Sequence, residues 1–443
     1  MALKFFRDPL YDYIPIEKDS WLLDLINTPE VQRLRYVSQL GLAHFTYPGA
    51  THSRFSHSLG VLRLMQECIS HLRNTYPKYL NKLDEEALLA ASLLHDIGHF
   101  PLSHVTEEVF GSHEDNGIHI INDPKSTVNK ILRKRASSLP SKVVALLAKQ
   151  STAPLWQKSL ISSQLDIDRL DYLRRDSLYS GAGYGHFDCF RILHTMQLKE
   201  KVVENRRKDT FVVWPDKSKY AIEEYIFSRF YMYQSVYYHH TTKGFEGLVR
   251  IILKRAIELC RKNRAFAKKL LPPMKLILNS KQDESQKAFL ALTDHILLSQ
   301  ISLWRNAKDK VLKDLSERLL SRNGLGWDEI PGIHLETHNK IHKVVDYLKK
   351  KGFDQNYYFF GDDTKTTAYK PYSSAASSGE QSSVNSIMLF DNRWPETGFC
   401  EISEVPGLQR IKAIVSSQTS TLRYYFPKEH AKEIKALLSP NNK

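Results

Sequence analysis

A chain of 443 residues is long enough for two or three packed cores, and its 42% hydrophobic content is ordinary for a soluble globular protein. Its net charge of +14 favours a polyanionic partner (nucleotide, nucleic acid or acidic membrane surface), and charge alone does not choose among them. Cys68, Cys189, Cys260 and Cys400 lie far apart without a CxxC pair, which excludes a disulfide framework and a zinc knuckle. Residues 1–12 carry charges and a proline instead of a signal core, and no run approaches the roughly 18 apolar residues of a membrane span. A reducing, cytoplasmic setting without membrane attachment is the expectation.

Helical patterning dominates the first three quarters. Thr28-Pro29-Glu30 reads as an N-cap with proline at the first helical position, opening a helix through Arg33, Leu34 and Val37 that Gly41 stops. Apolar residues near i, i+3 and i+4 predict a second helix over about 56–72, ended by Pro77. Asp84 is the expected cap of a third helix, which carries His95 and Asp96 at its C-terminal end, where Gly98 and Pro101 break it. Residues 180–185 are glycine-rich but lack a following Lys-Ser; they read as a turn and not as a P-loop. Phe211-Val212-Val213-Trp214 resembles a short strand, and an aromatic-rich helical region is predicted from Ile222 to about Arg261. Composition changes near Phe353. Tyr357-Tyr358-Phe359-Phe360 and Ile387-Met388-Leu389-Phe390 read as strands around a polar, mobile loop at 373–379, and a last helix is expected over 428–438. The expected fold is mainly α with a small α/β appendage over 353–443.

The chemistry concentrates in three segments. Leu94-His95-Asp96-Ile97-Gly98-His99, preceded by Arg54-Phe55-Ser56-His57 and followed by Asp166-Ile167-Asp168-Arg169, supplies two imidazoles and two carboxylates. His57, His95, Asp96 and Asp168 form the ligand set of a divalent ion poised for phosphoester hydrolysis, provided that three separate helices converge. Such a set suits iron, manganese, zinc or magnesium, and residue types do not decide among them. Four protein ligands leave positions open for water and a phosphate oxygen; the ion lowers the pKa of that water and polarises the phosphorus. Asp171 and Glu114 are expected to orient the ligands from behind. Taken singly, each residue has a plainer reading. His95 and His99 could be helix-end histidines, His113 an exposed loop residue, and Asp168 a charge partner for neighbouring arginines. Only their conjunction favours a metal.

With these segments go Asp8-Pro9, Gln32-Arg33-Leu34-Arg35, Gln39-Leu40-Gly41, Tyr47-Pro48-Gly49-Ala50, Arg229 and Tyr237. On these residues the chain resembles the HD-domain phosphohydrolase superfamily, and within it the shorter bacterial deoxynucleoside triphosphate triphosphohydrolases, over about residues 4–250. The resemblance implies an HD-type catalytic core with an N-terminal regulatory segment over 1–250, a helical extension over 251–352, and the α/β region beyond. It implies that His57, His95, Asp96 and Asp168 hold the metal. His99, His104 and His113 would line the triphosphate site, His104 assisting as an acid, with Asp171 in the same catalytic group. Arg54, Arg169, Tyr172 and Arg229 would hold the triphosphate, whose roughly four negative charges require several cations. Gln39 and Asp176 would contact the sugar 3′-hydroxyl, and Tyr237 would pack under C2′ and disfavour ribonucleotides. Arg169 stands where mammalian members carry lysine, which keeps the charge and changes the hydrogen-bond geometry.

Relatives also bind an activating nucleotide at a subunit interface. Lys4, Gln32 and Arg35 match positions used there, and Lys217 resembles a phosphate contact of a second activator site. Asn27 replaces a guanine-reading aspartate; an amide offers one acceptor and one donor, so guanine selectivity is not implied. The implied reaction is hydrolysis of deoxynucleoside triphosphates to deoxynucleoside and intact triphosphate, by attack of metal-bound water on the α-phosphorus. The implied assembly is a homo-oligomer, dimer or tetramer. Two alternatives compete: an HD phosphohydrolase acting on other nucleotides or nucleic-acid ends, and a nucleic-acid-binding or nucleotide-sensing regulator with idle chemistry. Arg54, Arg229 and Tyr237 argue against the first, and the intact ligand set against the second. Nucleic acid is a possible partner but not a required one.

Overall fold

The long helix Arg54–Thr75 buries Phe55, Leu59, Leu62, Met65, Ile69 and Leu72 along one stripe, the spacing that the apolar pattern dictates. Each such side chain contributes roughly 1.5–3 kcal/mol by leaving water. This helix packs between Lys82–Leu94 and Ile167–Ser180, and those three elements carry the metal-ligand candidates. The computed structural model describes residues 2–202, 208–279, 285–331, 335–365, 386–394, 398–416 and 420–439; the predicted loop at 373–379 lies outside them.

The chain is mainly α, with three small sheets among the described residues. An N-terminal hairpin pairs Leu3–Asp8 with Asp12–Glu17 and anchors on buried Ile14 and Ile16. In the second sheet the strands Gln197–Val202, Lys208–Pro215, Met388–Phe390 and Phe399–Glu401 lie side by side in that order, with Trp214 paired to Leu389. In the third, Ser420–Phe426 runs between Gly326–Pro331 and Phe360–Lys365. Strands from beyond residue 353 therefore extend sheets begun earlier, and one hydrophobic core runs from Ile14 to Ile411. The expected boundary at 250/251 falls inside the helix His240–Lys262. No helix among the described residues is long and apolar enough to cross a membrane.

Several local expectations change. Thr28 does cap Pro29–Gln32, but α-helix gives way to a 3-10 turn over Arg33–Tyr36, and Val37 is already extended. Its carbonyl accepts from the Arg54 amide, which draws that segment toward the next helix instead. Asn81, not Asp84, caps Lys82–Leu94; its side chain accepts from the Asp84 amide. The predicted helix from Ile222 is interrupted: Lys219–Met232 passes into a π-turn at Tyr233–Tyr237 before His240–Lys262 begins. Tyr357 and Tyr358 belong to the short helix Gln355–Tyr358, capped by Asp354, and the strand starts only at Phe360. Gly181 ends Ile167–Ser180 in the left-handed conformation, φ 71°, so the glycine-rich segment begins as a helix stop.

Candidate active site

His57 sits in the first turn of Arg54–Thr75, His95 caps the C-terminal end of Lys82–Leu94, and Asp168 lies in the first turn of Ile167–Ser180. Three helix ends thus meet. His57 Nε2 is 2.9 Å from Asp168 Oδ1 and 3.1 Å from His95 Nε2, and one donor atom from each of the three residues lies within 4.8 Å of the others. The opposite edge of each ring is occupied. His57 Nδ1 faces Asp171 Oδ2 at 2.8 Å and His95 Nδ1 faces the Ser92 carbonyl at 2.8 Å. A carboxylate and a carbonyl only accept, so both Nδ1 atoms must donate, and in neutral rings both Nε2 atoms are lone pairs aimed at one point. That donor set fits a divalent ion. Burial works against a charge on His57, yet hydrogen bonds to Asp168 and Asp171 outweigh it and raise the ring to about 10. The same anionic surroundings favour a cation.

Asp96 flanks this group, with Oδ1 3.5 Å from His95 Nε2 and Oδ2 3.8 Å from His57 Nε2. Arg54 does not present a free fork. It donates to Asp96 Oδ2 at 2.6 Å and to Ser103 Oγ at 2.7 Å, which binds the ligand carboxylate to the turn beyond His99. Asp171 is fully buried and touches no open space. Besides His57 it accepts from Arg175 (2.8 and 3.0 Å) and Tyr11 (2.8 Å), and Arg175 bridges on to Asp8 at 2.8 Å. Its contacts are thus with His57, Arg175 and Tyr11, behind the metal-ligand group. Glu114, expected beside it, instead pairs with Lys149.

A second cluster adjoins the first. His99 stacks on His113 with ring centroids 3.8 Å apart, and His104 meets both edge-on. Glu107 accepts from His113 and, at 3.2 Å, from His104. Burial opposes its charge, but these two imidazoles outweigh that and hold the carboxyl below its usual range. Burial and then Arg54 likewise push His99 down, well below the ordinary histidine value, which favours its uncharged form. His104 is the exposed member and the one able to reach a ligand. These four residues also offer donor atoms within 4.8 Å of one another.

The third wall is cationic and aromatic. Arg169 pairs with the helix-capping Asp166, and Arg229 donates to Gln164 at 2.8 Å; the Nε atoms of both arginines are buried without a partner among the described residues. Tyr172 lies edge-on to both His57 and Tyr237, at 6.5 and 6.1 Å. The Tyr237 hydroxyl donates to Asp176 Oδ2 at 2.8 Å, and His52 holds Asp176 Oδ1 at 2.7 Å. Gln39 joins this wall through its amide, bonded to the His52 carbonyl, and its Oε1 is a buried acceptor without a partner among the described residues.

The HD domain family model matches residues 54–176, the span that carries all four metal-ligand candidates. The chain is 33% identical to the uncharacterized protein YwfO of Bacillus subtilis over 434 residues, covering 96% of this chain and 92% of that one. A crystal structure of a phosphohydrolase from Bacteroides thetaiotaomicron superposes with a TM-score of 0.76 at 27% identity, covering 96% of this chain and all of the other. The chain belongs to the HD-domain phosphohydrolase superfamily. This HD-domain protein is also 26% identical to human deoxynucleoside triphosphate triphosphohydrolase SAMHD1, over 72% of its own length and 53% of SAMHD1. It is a metal-dependent phosphohydrolase.

The regulatory candidates lie outside this HD site. Gln32 donates to the Ile26 carbonyl and accepts from Arg35, whose guanidinium covers Phe55 at 3.6 Å. Asn27 caps the helix Trp21–Ile26, and Lys4 projects from the hairpin over Phe6. Lys217 lines a separate open cavity of about 680 Å³ with Arg191, Tyr220, Glu223 and Arg410. Sequence reasoning missed roles for His52, Glu107, Gln164 and Arg175. Arg175 was accessible as the i+4 partner of Asp171, and Glu107 as the i+3 partner of His104; His52 and Gln164 carry no local signal.

Proposed function

We propose that this phosphohydrolase cleaves deoxynucleoside triphosphates to deoxynucleoside and intact triphosphate. The observation that carries the reading is the pair of buried guanidinium Nε atoms of Arg169 and Arg229, without a partner among the described residues, on the wall beside the metal-ligand group. Buried donors without acceptors are costly, and a polyphosphate satisfies them. A divalent ion held by His57, His95, Asp168 and Asp96 would activate water and polarise the α-phosphate. Attack at the α-phosphorus breaks its bond to O5′, which must leave with a proton. His104, exposed and paired to Glu107, is the group we assign to supply it. Tyr237 closes the sugar end, where an added 2′-hydroxyl would meet its ring, while Gln39 Oε1, a buried acceptor without a partner among the described residues, takes the one proton of the 3′-hydroxyl beside Asp176. Arg54 acts mainly through Asp96.

We further assign Lys4, Gln32 and Arg35, with Lys217 across the Arg191 cavity, to nucleotide-regulated assembly of a homo-oligomer, without a guanine requirement at Asn27. The test is product analysis by ion-exchange chromatography, with purified protein, each dNTP and a panel of iron, manganese, zinc and magnesium. Deoxynucleoside and triphosphate in equal amounts are expected. Formation of dNDP with orthophosphate, or dNMP with pyrophosphate, overturns the cleavage point.

A further inference from the structure

Leu102 and Ser103 are consecutive non-glycine residues in the left-handed region, φ 56° and 58°, immediately between His99 and His104. Cβ–carbonyl crowding makes that conformation unfavourable for each, so neighbouring structure must hold it. The holding group is Asp294, first residue of the helix Asp294–Trp304 and far outside the matched HD region. Its carboxylate is buried. One oxygen accepts from the Leu102 amide at 2.8 Å and the other from the Ser38 amide at 2.8 Å. The Ser103 hydroxyl in turn donates to the Ser38 carbonyl at 2.7 Å and receives Arg54 Nε, whose guanidinium reaches Asp96. Arg33 fastens the same segment from beside it, donating to the Phe289 and Leu292 carbonyls and to the His99 carbonyl at 2.7 Å. Gly41 leaves the space: a Cβ there would stand 3.1 Å from the Leu102 carbonyl oxygen.

We infer that Asp294 is a positioning residue for the phosphoryl site, a strap from the helical extension that holds the Leu102–Ser103 turn and through it the settings of Arg54 and His104. The inference rests on the proposed hydrolysis for its kinetic readout only. In Asp294→Asn the amide keeps one acceptor and turns a donor toward the other backbone amide, so one of the two anchors is lost. Ser103→Ala removes the next link without touching Asp294.

Two measurements test this. Amide hydrogen exchange should rise about tenfold in a peptide spanning residues 99–106 of Asp294→Asn, and stay unchanged in one spanning 58–72. Turnover by the manganese-loaded full chain should fall about ten- to hundredfold in kcat. The two substitutions together should cost no more than the larger alone, because they cut one chain of contacts. Multiplying effects on kcat, wild-type kcat in Asp294→Asn, or unchanged exchange at 99–106 would each overturn the inference. Turnover is read on dNTPs and on bis(4-nitrophenyl) phosphate. A wild-type protein active on the second substrate alone sinks the dNTP reading and still measures the strap.

Discussion

Replacing Asp171 with asparagine removes a charge that solvent never reaches. The carboxylate receives His57 Nδ1 and Arg175 Nε on one oxygen, and Tyr11 and a second Arg175 nitrogen on the other. Asparagine best places its carbonyl toward His57 and Arg175 Nε, which leaves its amide facing an arginine donor. Arg175 is fully buried and then has only Asp8 as counter-charge. Removing one partner of a buried pair costs about 3–5 kcal/mol, and the surviving acceptor and Asp8 put this case near 3. With unfolding entropy of about 2.1 cal/mol/K per residue, a chain of 443 residues loses roughly 3 °C of Tm. Metal binding should weaken separately, by about ten- to a hundredfold, because the asparagine carbonyl still fixes the His57 tautomer but no longer supplies the charge that raises its basicity. Calorimetry on metal-stripped protein and isothermal titration with manganese read the two effects apart. Asp8→Asn is the control, since it cuts Arg175 but not His57, and should lower Tm while leaving manganese affinity near wild type. Manganese affinity within about twofold of wild type in Asp171→Asn would refute the claim that this carboxylate works through the histidine.

Gly60→Ala should phenocopy that loss, because a Cβ would stand 2.0 Å from Asp171 Oδ1 and 2.3 Å from an Arg175 nitrogen. Overpacking of about 1–3 kcal/mol and reduced metal content are expected, by melting curves and elemental analysis. Tyr237→Ala should shrink the preference for a deoxyribonucleotide over its ribonucleotide about ten- to a hundredfold in kcat/KM, whereas Tyr237→Phe, which keeps the ring, should shrink it less. His240 stacks on Trp327 with centroids 4.0 Å apart, and burial, then His239 and Arg423, push it down to about 4. Its folded value lies below the unfolded one, so it contributes stability above about pH 6.5 that is lost as pH falls toward 4. His240→Phe keeps the stack and should flatten the fall in Tm between pH 7 and 5; an unchanged slope would show that His240 does not contribute to it.

The metal-ligand group was legible because its signals are local. His95 follows an apolar helical run, Asp168 follows the helix-capping Asp166, Thr28-Pro29 announces a cap, and the apolar run Phe211-Val212-Val213-Trp214 announces the strand that spans Lys208–Pro215. The failures have two causes, one a local cap and one a tertiary contact. Tyr357 and Tyr358 have strand-like side chains, but Asp354 captures the Asn356 amide and winds a helical turn first. The aromatic helix after Ile222 shows no period change at Tyr233, and the contact of the π-turn's Tyr237 with Tyr172, 65 positions earlier, carries no local signal.

Side-chain periodicity and caps report which face of an element is apolar and where it ends, so the sequence alone determined a mainly helical chain with two imidazoles and two carboxylates at helix ends. It could not determine which distant residue completes each group. Asp8 meets Arg175 across 167 positions, and Asp294 meets Leu102 across 192. Such partners lie nowhere near one another until the helices pack, and only then do burial and the loss of water make each of those contacts obligatory.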